Sequence, residues 1–404
     1  MISFDPKPKC TVYSLHKIKF PLPAIYPALI LSFSFFVLLS DCKEKKKKKR
    51  KGGQTMANRN RSIRRLGWLD QAKGITMLLV IAGHTLQNYG YGDLVRGIIF
   101  SFHMPLFFIS SGITLKTSAS LEQFQASLKK AAGKLLVPAL IIFGITTLYA
   151  LLQYPNMLFD FQFYLQKIYT FLFASGTETQ ALGMSIPALG MCWFLFVLFS
   201  ARSLFDFFHL YLDDMQLAIV CGFTSVLGVL LGQVQRLPFS LDVSFAILPF
   251  FYAGYAMARS KTAGKKMNSG QLVITFLVFA VILFLTWPET ANWTYLELAA
   301  RKYPLYPLCF VCAFAGTLLI YQLCIHLSKW RWTHFLTFAG RNSIYLFFIH
   351  SIDYIWSVLW TIEGRQFLTS ALRIAVDLVI FVLFMAVKNR ICQNRRRAKR
   401  KARS

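Results

Sequence analysis

The stretch Leu69-Asp70-Gln71-Ala72-Lys73-Gly74-Ile75-Thr76-Met77-Leu78-Leu79-Val80-Ile81-Ala82-Gly83-His84 decides the fold class. Its uninterrupted run from Ile75 to Ala82 carries no charge and is bracketed by Lys73 and His84. That pattern suits a helix in a medium where every backbone polar group must be satisfied internally and ionisable side chains are rare. Apolar stretches of about 17 to 25 residues recur from Met56 onward, long enough to cross a hydrocarbon core of about 30 Å. The expected architecture is all-α, a polytopic membrane bundle of about ten transmembrane helices. Their centres fall near Leu79, Phe107, Phe143, Val197, Val226, Leu248, Val278, Ala315, Ile352 and Ile380. Phe159 to Phe173 alternates aromatics with Gln and Lys167 and reads as an interfacial helix.

Composition agrees. The chain is 55% hydrophobic and 15% charged, a balance poorly suited to a water-soluble domain. Lys and Arg number 45 against 17 Asp and Glu, and they gather in the tails and alternate loops. Lys116, Lys129, Lys130, Lys134, Arg259, Lys261, Lys265, Lys266, Lys329 and Arg331 fall on the side of the Arg59 to Arg65 cluster. Asp93, Asp160, Glu178, Glu289 and Glu297 fall opposite, with scattered Lys167, Arg236, Arg301 and Lys302. The bias predicts a multi-pass cell-membrane protein, a bacterial plasma membrane being the expected setting, with both termini cytoplasmic. Asp213 and Asp214 disagree, but acidic residues contribute little to orientation. No folded soluble module accompanies the basic tails, so the expected partner is the bilayer and not nucleic acid.

The eight cysteines show no framework spacing, which argues against disulfides and zinc. Cys309 and Cys312 make a lone C-x2-C pair in an apolar run, a packing feature. Three segments emerge: residues 1–55, a basic and hydrophobic extension; 56–390, the membrane domain; and 391–404, a basic cytoplasmic tail. Pro21 to Ser40 could be an extra anchor stopped by the lysine tract Lys43 to Lys51. Lys51-Gly52-Gly53-Gln54-Thr55 can be encoded by a purine-rich ribosome-binding stretch ahead of an in-frame Met56, and a start at Met56 is the expectation, with the anchor as the alternative.

Polar residues inside the spans carry the chemistry. Lys73 and His84 lie about three helical turns apart, on one face, with roughly 16 Å between their levels. Lys73 also suits a snorkelling anchor, and His84 a satisfied core histidine. In Ile98-Ile99-Phe100-Ser101-Phe102-His103-Met104-Pro105-Leu106-Phe107-Phe108-Ile109-Ser110-Ser111-Gly112, His103 comes to a depth close to that of His84 on an antiparallel neighbour. Pro105 frees a carbonyl one turn earlier; Ser110, Ser111 and Gly112 allow close approach of a helix or a ligand. His350 and Asp353 share a face of the ninth span, where the carboxylate can fix the imidazole tautomer or simply form a buried ion pair. Arg373 and Asp377, one turn apart, suit a structural pair.

A histidine can take a proton from an alcohol near neutral pH, and the activated oxygen can attack a thioester. Lys73, with Arg341 at a comparable level, could hold the phosphates of a cytosolic acyl-CoA. Walker, zinc-ligand, G-x-S-x-G and glycine-rich dinucleotide motifs are absent from the sequence.

Leu69-Asp70-x-x-Lys73-Gly74 leading to Val80-Ile81-Ala82-Gly83-His84, followed by Phe102 to Gly112, resembles the acyltransferase-3 superfamily, in its branch of fucose 4-O-acetylase-like membrane acetyltransferases. Cys192-Trp193-Phe194-Leu195 and Gly340-Arg341-Asn342-Ser343-Ile344-Tyr345-Leu346 through His350 are similar to that branch too. The resemblance runs from about Arg65 to about Val387. It implies a ten-helix bundle that moves an acyl group, usually acetyl, from a cytosolic donor to a hydroxyl on a sugar, glycolipid or cell-surface exopolysaccharide. His84 matches the family's histidine and becomes the expected general base, with His103 orienting or stabilising the acyl oxygen. Lys73 and Arg341 become donor contacts, while Asp70, Ser110, Ser111, Trp193, His350 and Asp353 support them. Many members carry Arg where this chain has Lys73, which keeps the charge and loses the planar fork. No tightly bound cofactor or metal is expected, and acetyl-CoA is the expected donor. The polar spacing alone also fits a secondary transporter relaying protons through His84, His103 and Asp353, although no inverted second copy of the Phe102 to Gly112 pattern exists. A scaffold without chemistry is a third reading.

Overall fold

The computed structural model describes residues 66–86, 91–181, 184–286, 295–357, 359, 361–362 and 364–401. The extension 1–55, Met56, the Arg59 to Arg65 cluster and Glu289 lie outside the described residues.

The described chain is a helical bundle. In order it forms α1 (Gly67–Thr85), α2 (Tyr91–Ile113), α3 (Leu121–Gln153) and α4 (Phe161–Phe173), then β1 (Thr179–Ala181) and β2 (Met184–Ile186). It continues with α5 (Trp193–His209), α6 (Asp214–Val234), α7 (Leu241–Ala246), α8 (Leu248–Arg259), α9 (Ser269–Leu285) and α10 (Leu308–Leu327). The last helices are α11 (His334–Arg341), α12 (Ser343–Ile352), α13 (Tyr354–Ser357) and α14 (Gln366–Lys401). β1 and β2 pair antiparallel, with Thr179 opposite Ile186, a small hairpin that the all-α expectation did not contain.

Among the described residues, six helices are long and apolar enough to span a membrane, and a seventh span arises if α7 and α8, bent by 55°, count as one with the turn before them. Each of the ten expected centres falls within a helix or, for Leu248, at that bend. Among the described residues the count of ten is not confirmed, because α9 and α12 are short and α1 is diluted by polar side chains. α4, at 13 residues, would reach only about 20 Å, too short to cross the bilayer. The exposed apolar side chains Leu140, Phe223, Ile274, Phe284 and Leu383 cover the bundle's outer surface, as lipid-facing residues do.

The anomalous acids have local tasks. Asp213 caps α6, accepting from the Met215 and Gln216 amides while Gln216 returns a bond to its own. Asp214 pairs with Arg259 at 2.6 Å. The expected cytoplasmic tail begins inside α14, which runs without a break to Lys401.

Two helix pairs joined by glycine-to-backbone contacts set the helix packing around the site. A Cβ on Gly74 would stand 2.2 Å from the Leu336 carbonyl oxygen, and one on Gly340 would stand 1.6 Å from that of Asp70. α1 and α11 therefore touch backbone to backbone. α2 and α8 do the same, since a Cβ on Gly112 would lie 2.2 Å from the Phe251 oxygen and one on Gly254 would lie 2.1 Å from the Ile109 oxygen. Gly112 thus serves helix approach. The cysteines Cys192, Cys221, Cys309, Cys312 and Cys324 are free and buried, as packing groups.

Candidate active site

α1 presents Lys73, Met77, Val80 and His84 as one stripe, and this stripe lines an apolar cavity of about 170 Å³ closed by Ser111 of α2, Phe194 of α5 and Phe347 of α12. A second cavity, of about 290 Å³, is lined by His84, Arg96, Phe100 and His103 with the segment Leu296 to Ala299. His84, Met104, Met191 and Trp193 line both. His84 therefore stands in the partition between a cavity holding Lys73 and a cavity holding His103.

The two histidines meet across an aromatic ring. Phe100 lies 5.6 Å from His84 and 4.6 Å from His103, centre to centre. His103 is buried, with Nδ1 3.1 Å from the Ile99 carbonyl oxygen. A carbonyl oxygen only accepts, so Nδ1 carries the hydrogen, and in the neutral ring Nε2 is the accepting nitrogen. Arg96 places its guanidinium 4.6 Å over Phe100 and 3.8 Å from Glu297. Arg96 and Glu297 belong to none of the sequence motifs. Only Arg96's position at the start of a span hinted at a role, and Glu297 reads as an ordinary loop acid.

At the other end of α1, Asp70 accepts from Arg341 Nε at 3.0 Å. Asp70 lies about one turn from Lys73 along α1, and of these three charges Lys73 is the one that lines the cavity. Arg341 is half-exposed, whereas Asp70 is nearly covered. Of the two serines, Ser111 lines the cavity and donates to the Phe107 carbonyl. Ser110 turns away and shares a 2.8 Å hydrogen bond with the buried Tyr321 hydroxyl.

His350 is fully buried at the back of α12, its ring centre 5.8 Å from that of His84. Its Nδ1 stands 2.9 Å from Asp353 and 3.0 Å from Asp377. Arg373 pairs with Asp353 through both Nε and a terminal nitrogen. The expected Arg373–Asp377 pair is thus replaced. Being a turn apart on one helix sets their spacing, yet the rotation of α14 against α12 points Arg373 to Asp353 and leaves Asp377 to His350. By donor type His350, Asp353 and Asp377 could serve a cation, but the guanidinium already occupies both oxygens of Asp353.

The family described as an acyltransferase domain, acyltransferase-3, matches residues 66–388. The chain is similar to the nodulation protein NolL of Sinorhizobium fredii (strain NBRC 101917 / NGR234), at 27% identity over 237 residues, 54% of this chain and 56% of that protein. The chain thus covers little more than half the length of that relative. No solved structure matches.

Proposed function

The chain belongs to the acyltransferase-3 family, and from that premise we propose that it is an integral-membrane O-acyltransferase that moves an acetyl group from a cytosolic acyl-CoA to a hydroxyl of a sugar or cell-surface glycan. Membership supports acyl transfer over the transporter and scaffold readings. The observation that carries the finer reading is the position of His84 on the wall shared by two cavities. Two substrates that approach from opposite sides can meet there without sharing an entrance.

The donor belongs to the Lys73 side. Lys73 is a point charge suited to phosphate, and Arg341, held by Asp70 one turn before Lys73, adds a half-exposed planar cation. The apolar stripe Met77 and Val80 then accepts the acyl arm up to His84. The acceptor belongs to the His103 side, where Arg96 and Glu297 offer hydrogen bonds and Trp193 and Phe100 offer flat apolar faces, a pairing suited to sugar hydroxyls and ring faces. His103, with Nδ1 donating to Ile99, offers an accepting Nε2. It therefore suits accepting from a second hydroxyl of the acceptor better than polarising the acyl oxygen, since the single proton of the reacting hydroxyl goes to His84.

In the reaction, a nitrogen of His84 takes the hydroxyl proton as the oxygen bonds to the thioester carbonyl carbon. The tetrahedral intermediate collapses, the carbon–sulfur bond breaks, and His84 returns the proton to the leaving sulfur, giving ester and free CoA thiol. One base serves both steps, and its place between the cavities is what the sequence of proton movements requires.

The test is thiol release from acetyl-CoA by membranes carrying the wild-type chain or His84→Ala at equal expression, with mass analysis of extracted surface glycans. Loss of both the thiol and the added acetyl mass in the variant is expected. Equal signals from the two membranes would overturn the reading.

A further inference from the structure

We propose that His350 is a positioning residue for His84, holding it in the tautomer and orientation needed for proton transfer through a buried chain that runs from His84 through His350 to Asp353, Asp377 and Arg373. This rests on the acyltransferase reading above. Three observations carry it. First, the His350 ring is the imidazole neighbour of His84, 5.8 Å away centre to centre, on a helix that also lines the Lys73 cavity. Second, its Nδ1 faces two carboxylates, at 2.9 and 3.0 Å, so that nitrogen carries hydrogen and donates. Third, Nε2 is buried and has no hydrogen-bond partner among the described residues.

A buried polar atom left without a partner is costly, so an unused imidazole nitrogen beside a candidate base calls for an explanation. With Nδ1 committed to carboxylates, Nε2 is the nitrogen that can serve His84, directly or through one water. In the neutral ring it accepts an N–H from His84, leaving the other His84 nitrogen unprotonated and ready for the acceptor hydroxyl. The carboxylates stabilise the positive charge that builds on the imidazole pair as the proton arrives. Arg373, bound to Asp353, prevents two like charges from facing each other unrelieved. The arrangement couples α1, α12 and α14, so the orientation of His84 is set by the packing of three helices.

Asparagine and glutamine variants separate positioning from mere support. The side-chain amide of Asn falls near the place of Nδ1 and that of Gln near the place of Nε2, so His350→Asn keeps the carboxylate contact and loses the group facing His84, whereas His350→Gln keeps the latter. Thiol release from acetyl-CoA is measured in native membranes for the wild type, His84→Ala, both His350 variants and the double variant His84→Ala/His350→Asn, with thermal unfolding of each in detergent. The expected result is that His350→Asn unfolds like wild type but loses roughly 10- to 100-fold in kcat, with the KM for acetyl-CoA changed less than about two-fold. His350→Gln should retain more of the rate, and the double variant should be no slower than His84→Ala alone. Wild-type kcat in a folded His350→Asn overturns the inference, as do equal losses in both variants accompanied by lower melting temperatures. Wild-type membranes no more active than His84→Ala would overturn the acyltransferase reading itself, and the inference with it; that outcome is visible before the His350 variants are compared.

Discussion

Adding one methyl group to glycines of this bundle should have opposite effects, depending on what lies over each Cα. At Gly340 the new Cβ would stand 1.6 Å from the Asp70 carbonyl oxygen, 2.7 Å from its carbon and 2.8 Å from the Gly74 nitrogen, all rigid backbone. Ordinary contact requires α1 and α11 to part by about 1.5 Å or more, which a close-packed interior resists at about 1 to 3 kcal/mol. The same separation would pull Arg341 from Asp70, now 3.0 Å apart, beyond ion-pair distance. Gly340→Ala should therefore lower the melting temperature by about 2 to 4 °C in detergent and raise the KM for acetyl-CoA. At Gly133 and Gly144, within α3, a new Cβ would meet nothing within 4 Å. Gly133→Ala and Gly144→Ala should leave stability unchanged or raise it by about 0.5 to 1 kcal/mol, the helix-propensity gain. Scanning fluorimetry of the three purified variants beside wild type reads the difference. A Gly340→Ala protein with wild-type melting and KM would refute the claim that α1 and α11 meet backbone to backbone.

Arg301→Ala should be among the most damaging single changes away from the site. Its guanidinium binds the fully buried Asp242 at 2.8 Å, and stranding that carboxylate costs about 3 to 5 kcal/mol, seen as loss of folded protein on size-exclusion chromatography. Lys73→Met should raise the KM for acetyl-CoA by roughly ten-fold or more while Lys73→Arg stays near wild type, measured by thiol release. Asp70→Asn should change that KM by less than about five-fold, because an ion pair with a half-exposed partner contributes only about 0.2 to 1 kcal/mol. Ser110→Ala should cost about 1 kcal/mol in thermal unfolding through its lost bond to Tyr321, with acetyl-CoA kinetics unchanged.

By itself the sequence determined that the chain is a membrane helix bundle, because apolar runs of that length leave no other way to satisfy their backbones in lipid. It also determined that Lys73 and His84 share a face, since the helical repeat makes that a matter of counting. Short motifs around His84, His103 and Arg341 carried the family. What one helix presents to another could not be counted. Arg373 and Asp377 are a turn apart and suit each other, yet Arg373 binds Asp353 and Asp377 binds His350. Ser110 and Ser111 are adjacent, yet only Ser111 reaches the cavity. The meeting of His84 with His350, and of two cavities at His84, depends on helix rotation and crossing. Those are set by where backbones can touch, at Gly74 against Leu336, Gly340 against Asp70 and Gly112 against Phe251. Each glycine is visible in the sequence, but the surface it meets exists only once the helices have packed.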